Sequence, residues 1–343
     1  MVELMVGTVI SLLVTLTVAG SAQFLDVQKR ITIGTNGVLE TMAISYREIS
    51  NDIKMAGYGI SKCTHVLYKN TVSGVTTVND LTQPLFITST TGSDEITSFY
   101  GESLTGSAYS FLLEGTTGGS FKTTYAGQLN NGNAGNVTDG SLVVIKQPKD
   151  ADGISPNCSI YALNSIAIAS GEATTTLNAT VDGIVWGSDT ATTYPMNSMV
   201  FGLASVKNIN LKVVNNTLQE VNAFKPSITT QIADNIVYFK AYYGIDDGTF
   251  VPATGAWEAS ALTVASTKRI RSIRVFMVAR SPVLNKKVNG ACTATDNDHK
   301  VITSWDEDLS FDVSTLTDGQ CYKYMKSDFI VPLRNKVLSD MNV

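Results

Sequence analysis

Charge is scarce in this chain: Asp, Glu, Lys and Arg make up 16% of 343 residues, and the net charge is −5. No block of Lys and Arg is dense enough to track a phosphate backbone, which argues against a nucleic-acid partner. Histidine occurs only as His65 and His299, far apart and without carboxylates at a recognisable spacing. A lone loop histidine is ordinarily a solvated residue and not a catalytic base. There is no G-x-S-x-G, no H-E-x-x-H and no phosphate-binding glycine loop, so an enzyme reading has no motif to rest on. The four cysteines, Cys63, Cys158, Cys292 and Cys321, form no C-x-x-C, which removes the support for a zinc knuckle. No cofactor and no metal is expected.

What the chain does have is an apolar front end. From Leu4 to Leu25 it carries no Asp, Glu, Lys or Arg. At 1.5 Å per residue, ~20 such residues cross a hydrocarbon core of ~30 Å. Glu3 stands at its head, where an unpaired carboxylate costs on the order of 1–3 kcal/mol depending on depth. A simple anchor gains nothing from that acid, so a partner for it is expected. A secretory signal peptide competes with this reading, because Gly20-Ser21-Ala22 offers small residues for cleavage after Ala22. Against it, such a peptide wants a cationic start, and this one opens with an anion.

The helical pattern continues past the apolar run. Leu39, Met42, Tyr46, Ile49, Ile53 and Ala56 recur at spacings of three and four, which predicts one packed stripe, with Arg47, Glu48, Asn51, Asp52 and Lys54 on other faces. The predicted helix runs from near Val2 to about Met55, roughly 80 Å if unbroken. Gly20, Gly34 and Gly37 each weaken it by about 1 kcal/mol relative to Ala, so bending or melting is expected between Gly20 and Gly37. Met55-Ala56-Gly57-Tyr58-Gly59 ends it, with Gly57 or Gly59 able to take the left-handed cap conformation.

Beyond the helix the signals are strands and turns. Leu142 to Lys146, Ser159 to Ala169 and Val206 to Val214 are rich in β-branched residues and bounded by turn formers. Asn235 to Ile245 is a long strand with Val237, Phe239, Ala241 and Tyr243 on one face. Lys268 to Arg280 follows, with Ile273, Val275, Met277 and Ala279 inward and Arg274 and Arg280 outward, and Phe329 to Leu333 is a third. Four cysteines allow three pairings. The expected one is Cys63 with Cys158, tying the helix exit to the sheet, and Cys292 with Cys321, closing a short polar loop. Asp296, Asp298, Asp306, Glu307 and Asp308 flank Trp305, but Lys300 and the lack of a turning Gly spoil a calcium loop. A solvated loop that pairs with Arg274 and Arg280 is expected instead.

The acid and the uninterrupted apolar helix, in V-E-L-M-V-G, resemble the N-terminus of type IV pilins and of their minor pilin branch. The run S-N-D-I-K-M-A-G-Y-G before Cys63 is similar to the helix exit of the PilW group. So is the later order Y-Y-G-I-D, R-S-I-R-V-F-M-V-A-R-S and F-I-V-P-L-R-N. The resemblance implies an α+β fold: a helix over 1–57, with 1–25 membrane-spanning or in a filament core and 26–57 amphipathic, packed on a large, mostly antiparallel β-rich head over 58–343. It implies cleavage by a prepilin peptidase between a Gly and a Phe upstream of the glutamate, residues that precede Met1, and methylation of the new amine. Glu3 is then the charge partner of a neighbouring subunit's amine, and Leu4, Met5, Val6, Val9, Leu12 and Leu13 pack in the filament core.

The implied protein is a non-enzymatic minor pilin with other minor pilins, the major pilin and a large tip adhesin as partners. It is held in the inner membrane by a single pass, with its head in the periplasm, before entering an extracellular pilus. Lys29 and Arg30, just after the apolar run, would by the positive-inside rule keep the head cytoplasmic unless a basic leader precedes. Two alternatives share the helix: a minor pseudopilin of a type II secretion system, and a helix-tethered surface adhesin.

Overall fold

A computed structural model describes residues 2–60, 66–72, 75–81, 84–89, 92–103, 109–116, 119–124, 142–148, 158–169, 172–177, 180–181, 184–186, 193–224, 227–245, 248–252, 270–284, 292 and 294–334. The fold is α+β. An α-helix, α1 (Val2–Met55), leads into a large domain built mainly of antiparallel strands. Contrary to expectation, α1 stays helical through Gly20, Gly34 and Gly37. The reason at the latter two is contact: a methyl group on Gly34 would lie 3.5 Å from the Ser281 Cβ, and one on Gly37 3.5 Å from Pro282 Cγ. A loop of the head packs along the helix at both positions, at a distance that a methyl group would also fit. The helix ends where predicted, with both Gly57 (φ 78°) and Gly59 (φ 77°) left-handed.

The buried stripe of α1 differs from the predicted one. Val38, Met42, Ser45, Ile49, Asp52, Ile53 and Ala56 face the head, whereas Leu39 is 49% and Tyr46 44% exposed. Tyr46 lies at the edge of the stripe, with its ring edge-on to Phe329 at 4.8 Å. The 3.6-residue repeat is the same, but two of its buried places are held by Ser45 and Asp52. Met42, Ile49, Ile53 and Ala56 belong to both stripes, so one drawn through apolar residues alone is rotated by only part of a residue step, roughly 40°.

The first sheet is formed by β1 (Val66–Val72), β2 (Val75–Leu81), β3 (Leu85–Thr88), β4 (Glu95–Ser103), β5 (Tyr109–Phe111) and β6 (Ser120–Thr123). It continues through β7 (Leu142–Lys146), β8 (Cys158–Ala169) and β9 (Glu172–Leu177). A small hairpin of β10 (Thr180–Val181) and β11 (Ile184–Val185) pairs separately and lies beside β1, and β12 (Met199–Val214), β13 (Thr217–Asn222) and β14 (Thr229–Asp234) complete the large sheet. Its spine runs β14-β13-β12-β7-β8-β1-β2, antiparallel except where β1 meets β8. β12 is long enough to pair with β5 and β7 along its first half and with β4 and β13 along its second. Strands β7 and β8 are buried on both faces, as their continuous runs of apolar residues require.

The second sheet has the order β16-β15-β17-β20 and is wholly antiparallel. Its strands are β15 (Ile236–Ile245), β16 (Phe250–Pro252), β17 (Ile270–Arg280) and β20 (Tyr324–Pro332), with a hairpin of β18 (Val301–Thr303) and β19 (Ser310–Asp312) between the last two. Ile273, Val275, Met277 and Ala279 of β17 point toward α1 and share a core with Phe239, Ala241 and Tyr243. Val237 does not join them. The register between β15 and β17 shifts between Ile236 and Tyr238, which turns Val237 to the opposite face against Phe276 and Val278.

The core between the two sheets and the helix includes Ile87, Ile96, Leu211, Leu218 and Val331. Asp94 joins the sheets there: its buried carboxylate accepts from Lys240 Nζ (2.7 Å), Ala241 N (3.1 Å) and Ser89 Oγ (3.1 Å).

Candidate functional site

The N-terminal half of α1 has the surface least suited to water. Met5–Ala22 is long and apolar enough to cross a membrane, and none of it is buried in the molecule. Met5, Val6, Val9, Leu12 and Leu13 are between 52% and 72% exposed, and Ile10, Val14, Leu16, Val18, Phe24 and Leu25 are exposed as well. Burying one such side chain gains about 1.5–3 kcal/mol, so these eleven together hold on the order of 20 kcal/mol of unrealised burial.

Four hydroxyls of the segment bond back to the helix's own carbonyls. Thr8 donates to Met5 O, Thr15 to Ser11 O, Thr17 to Val14 O and Ser21 to Thr17 O. A hydroxyl satisfied by its own helix asks nothing of water, which suits an apolar solvent. Glu3 and Leu4 belong to the first turns of α1; their side chains lie outside the described residues.

The second half of α1 is fixed to the head through β20, β14, β17 and β4. Met42, Ile49 and Ile53 are buried in the core shared with the two sheets. At the helix end, Gly57 N donates to Phe99 O at 2.9 Å, and Gly101 N donates to Tyr58 O at 2.9 Å. Asp52 is also buried there. Its Oδ1 accepts from the Tyr100 hydroxyl at 3.0 Å, and burial pushes its carboxyl up to about 6 against the lowering effect of that bond. The sequence pattern placed Asp52 off the packed stripe. Its NDIKMAGYG context marks the helix exit but nothing in it signals burial.

Arg274, expected outward, is the largest correction. It does lie on the face of β17 opposite α1, but its side chain is 0% exposed. Asp328 takes it in a bidentate pair at 2.9 and 2.7 Å, Asp306 at 2.8 Å and Asp308 at 3.2 Å. The rings of Phe250 and Trp305 flank the guanidinium at 5.3 and 5.0 Å. The polar loop thus folds over the second sheet, and its acids at 306 and 308 serve an internal cation. Arg280 lies over the Tyr322 ring at 4.5 Å. A disulfide joins Cys292 to Cys321 and closes the segment that carries that loop. Cys158 is disulfide-bonded at the start of β8; Cys63, its expected partner, lies outside the described residues.

The expected functional residues therefore fall into separate places. The apolar residues of α1 share one projecting rod, Met42, Ile49 and Ile53 share the docking core, and Cys292 and Cys321 hold the loop on the far side of the second sheet. No protein-family model matches the chain, and no curated protein is similar to it in sequence. Among solved structures it is similar to a type IV-like pilin from Thermus thermophilus, at 9% identity and a TM-score of 0.30, over 87% of this chain and 96% of the other.

Proposed function

We propose that this chain is a structural subunit of the type IV pilin kind, a minor pilin, whose apolar helix waits in the inner membrane and then packs among like helices in a filament core. One observation supports the reading above others: α1 is a single helix whose second half is built into the head while Met5–Ala22 buries nothing. A rod fixed at one end and apolar all round at the other is a packing element that either lipid or neighbouring helices can cover. In such a core Glu3 neutralises the terminal amine of a neighbour, an attraction stronger in low dielectric than in water. Other minor pilins and the major pilin supply those neighbours.

Glu3→Ala in the producing cell is expected to remove the chain from sheared filaments while its thermal unfolding in detergent stays unchanged. Entry of the variant at the wild-type level, or absence of the wild-type chain from filaments, would overturn the proposal. N-terminal sequencing of filament-borne chain provides the companion test: a start at Gln23 would mean that the helix is a discarded signal peptide.

A further inference from the structure

The joint between α1 and the head contains a carboxyl group whose hydrogen bonding is incomplete. Asp52 is 4% exposed and lies on the buried stripe, one turn before the helix ends. Tyr100 donates to its Oδ1, and Ser98 Oγ donates to its main-chain carbonyl at 2.8 Å. Among the described residues no group donates to Oδ2, which is closed off from solvent. Asp94, equally buried, has both oxygens engaged and a lysine against it.

The titratable groups that act on Asp52 come from four elements: Tyr100 on β4 by its hydrogen bond, and Glu48 one turn back on α1, Lys207 on β12 and Glu220 on β13 through their charge. Lys207, the cation of that set, is held by Glu102 at 2.7 Å. An ionised Asp52 would therefore be a buried charge with one hydrogen bond and acids for company, whereas a protonated one is a neutral group that the site tolerates.

We propose that Asp52 is a proton-operated latch on this joint: with a proton on Oδ2 the end of α1 closes against β4 and β14, and loss of that proton loosens it. The inference does not depend on the filament reading. A carboxyl in the unfolded chain titrates near 3.8, whereas the folded chain holds this proton to about 6. The folded-state value is the raised one, so the stabilisation is fully present below pH ~4 and is lost as pH rises through about 6. A displacement of roughly two pH units corresponds to a change of roughly 100-fold in the closing equilibrium.

The test uses the full chain in detergent micelles. Amide hydrogen exchange over residues 49–60, corrected for intrinsic rates, is expected to show protection falling roughly 100-fold between about pH 4 and pH 8. The Asp52 carboxyl carbon, followed by NMR, is expected to titrate with the same midpoint. Asp52→Asn should abolish the fall and hold protection high at alkaline pH. Glu220→Gln, which removes a repelling acid, should move the midpoint to lower pH, and Tyr100→Phe, which removes the donor, should move it higher. A pH-independent wild-type profile, or an Asp52 carbon that titrates like an exposed aspartate, overturns the latch. If Asp52→Asn fails to fold, the two neighbouring variants decide: midpoints unmoved by either one overturn it as well.

Discussion

A guanidinium can be closed off from water only where carboxylates and flat rings complete its surroundings, and Arg274 has both. Its charge is offset by Asp306, Asp308 and Asp328, and its faces are covered by Phe250 and Trp305. Truncation to Met would leave three acids converging on an apolar stub, a change that typically costs about 3–5 kcal/mol. Arg274→Met is therefore expected to lower the unfolding free energy by that amount in a urea titration, and Arg274→Lys to recover only part of it, because an ammonium cannot make the bidentate pair. A loss below about 1 kcal/mol would show the cluster to be a surface ion network. The residue was legible as outward from α1 by strand alternation alone. That its outward side is covered was not, because the covering acids lie 32 to 54 positions away.

The helix was the most legible element, and its small errors are instructive. Apolar periodicity foretold its extent, and the glycine pair at its end foretold its stop. The glycines within it misled, since their intrinsic penalty said nothing of the loop beside them. Gly34 and Gly37 leave ordinary contact distance for one methyl group, 3.5 Å to Ser281 Cβ and to Pro282 Cγ. Gly34→Ala and Gly37→Ala should thus each keep the loop in place and gain about 0.5–1 kcal/mol of helix propensity, read as a higher thermal midpoint in micelles. A lower midpoint would mean that the loop needs closer approach than the backbone shows. In the strands, alternation was right along β17 and failed at Val237, because a bulge inserts its extra residue without any mark in the sequence.

Over the whole molecule, the docked half of α1 contributes to the core that joins the two sheets, and one carboxylate, Asp94, ties strand to strand across that junction. The far face of the second sheet is covered by the bridged, acid-bearing loop. Residues 58–343 exceed the usual size of a single domain, about 50–250 residues, so on the proposed function a copy at every position along a shaft would crowd its neighbours. We expect immunogold label against the head at filament ends. Label spread evenly along filaments would contradict that placement.

The sequence by itself determined the properties that depend on near neighbours along the chain: an apolar rod, an amphipathic continuation, a left-handed stop and a series of alternating strands. These follow from periodicity and local backbone preference, which act over a few residues. Only the tertiary structure decided which polar groups are removed from water. Asp52 owes its burial to Tyr100, 48 positions on, and Arg274 owes its coordination to a loop that folds back across the sheet. Desolvation depends on what packs against a side chain from elsewhere in the fold, and no local pattern records that.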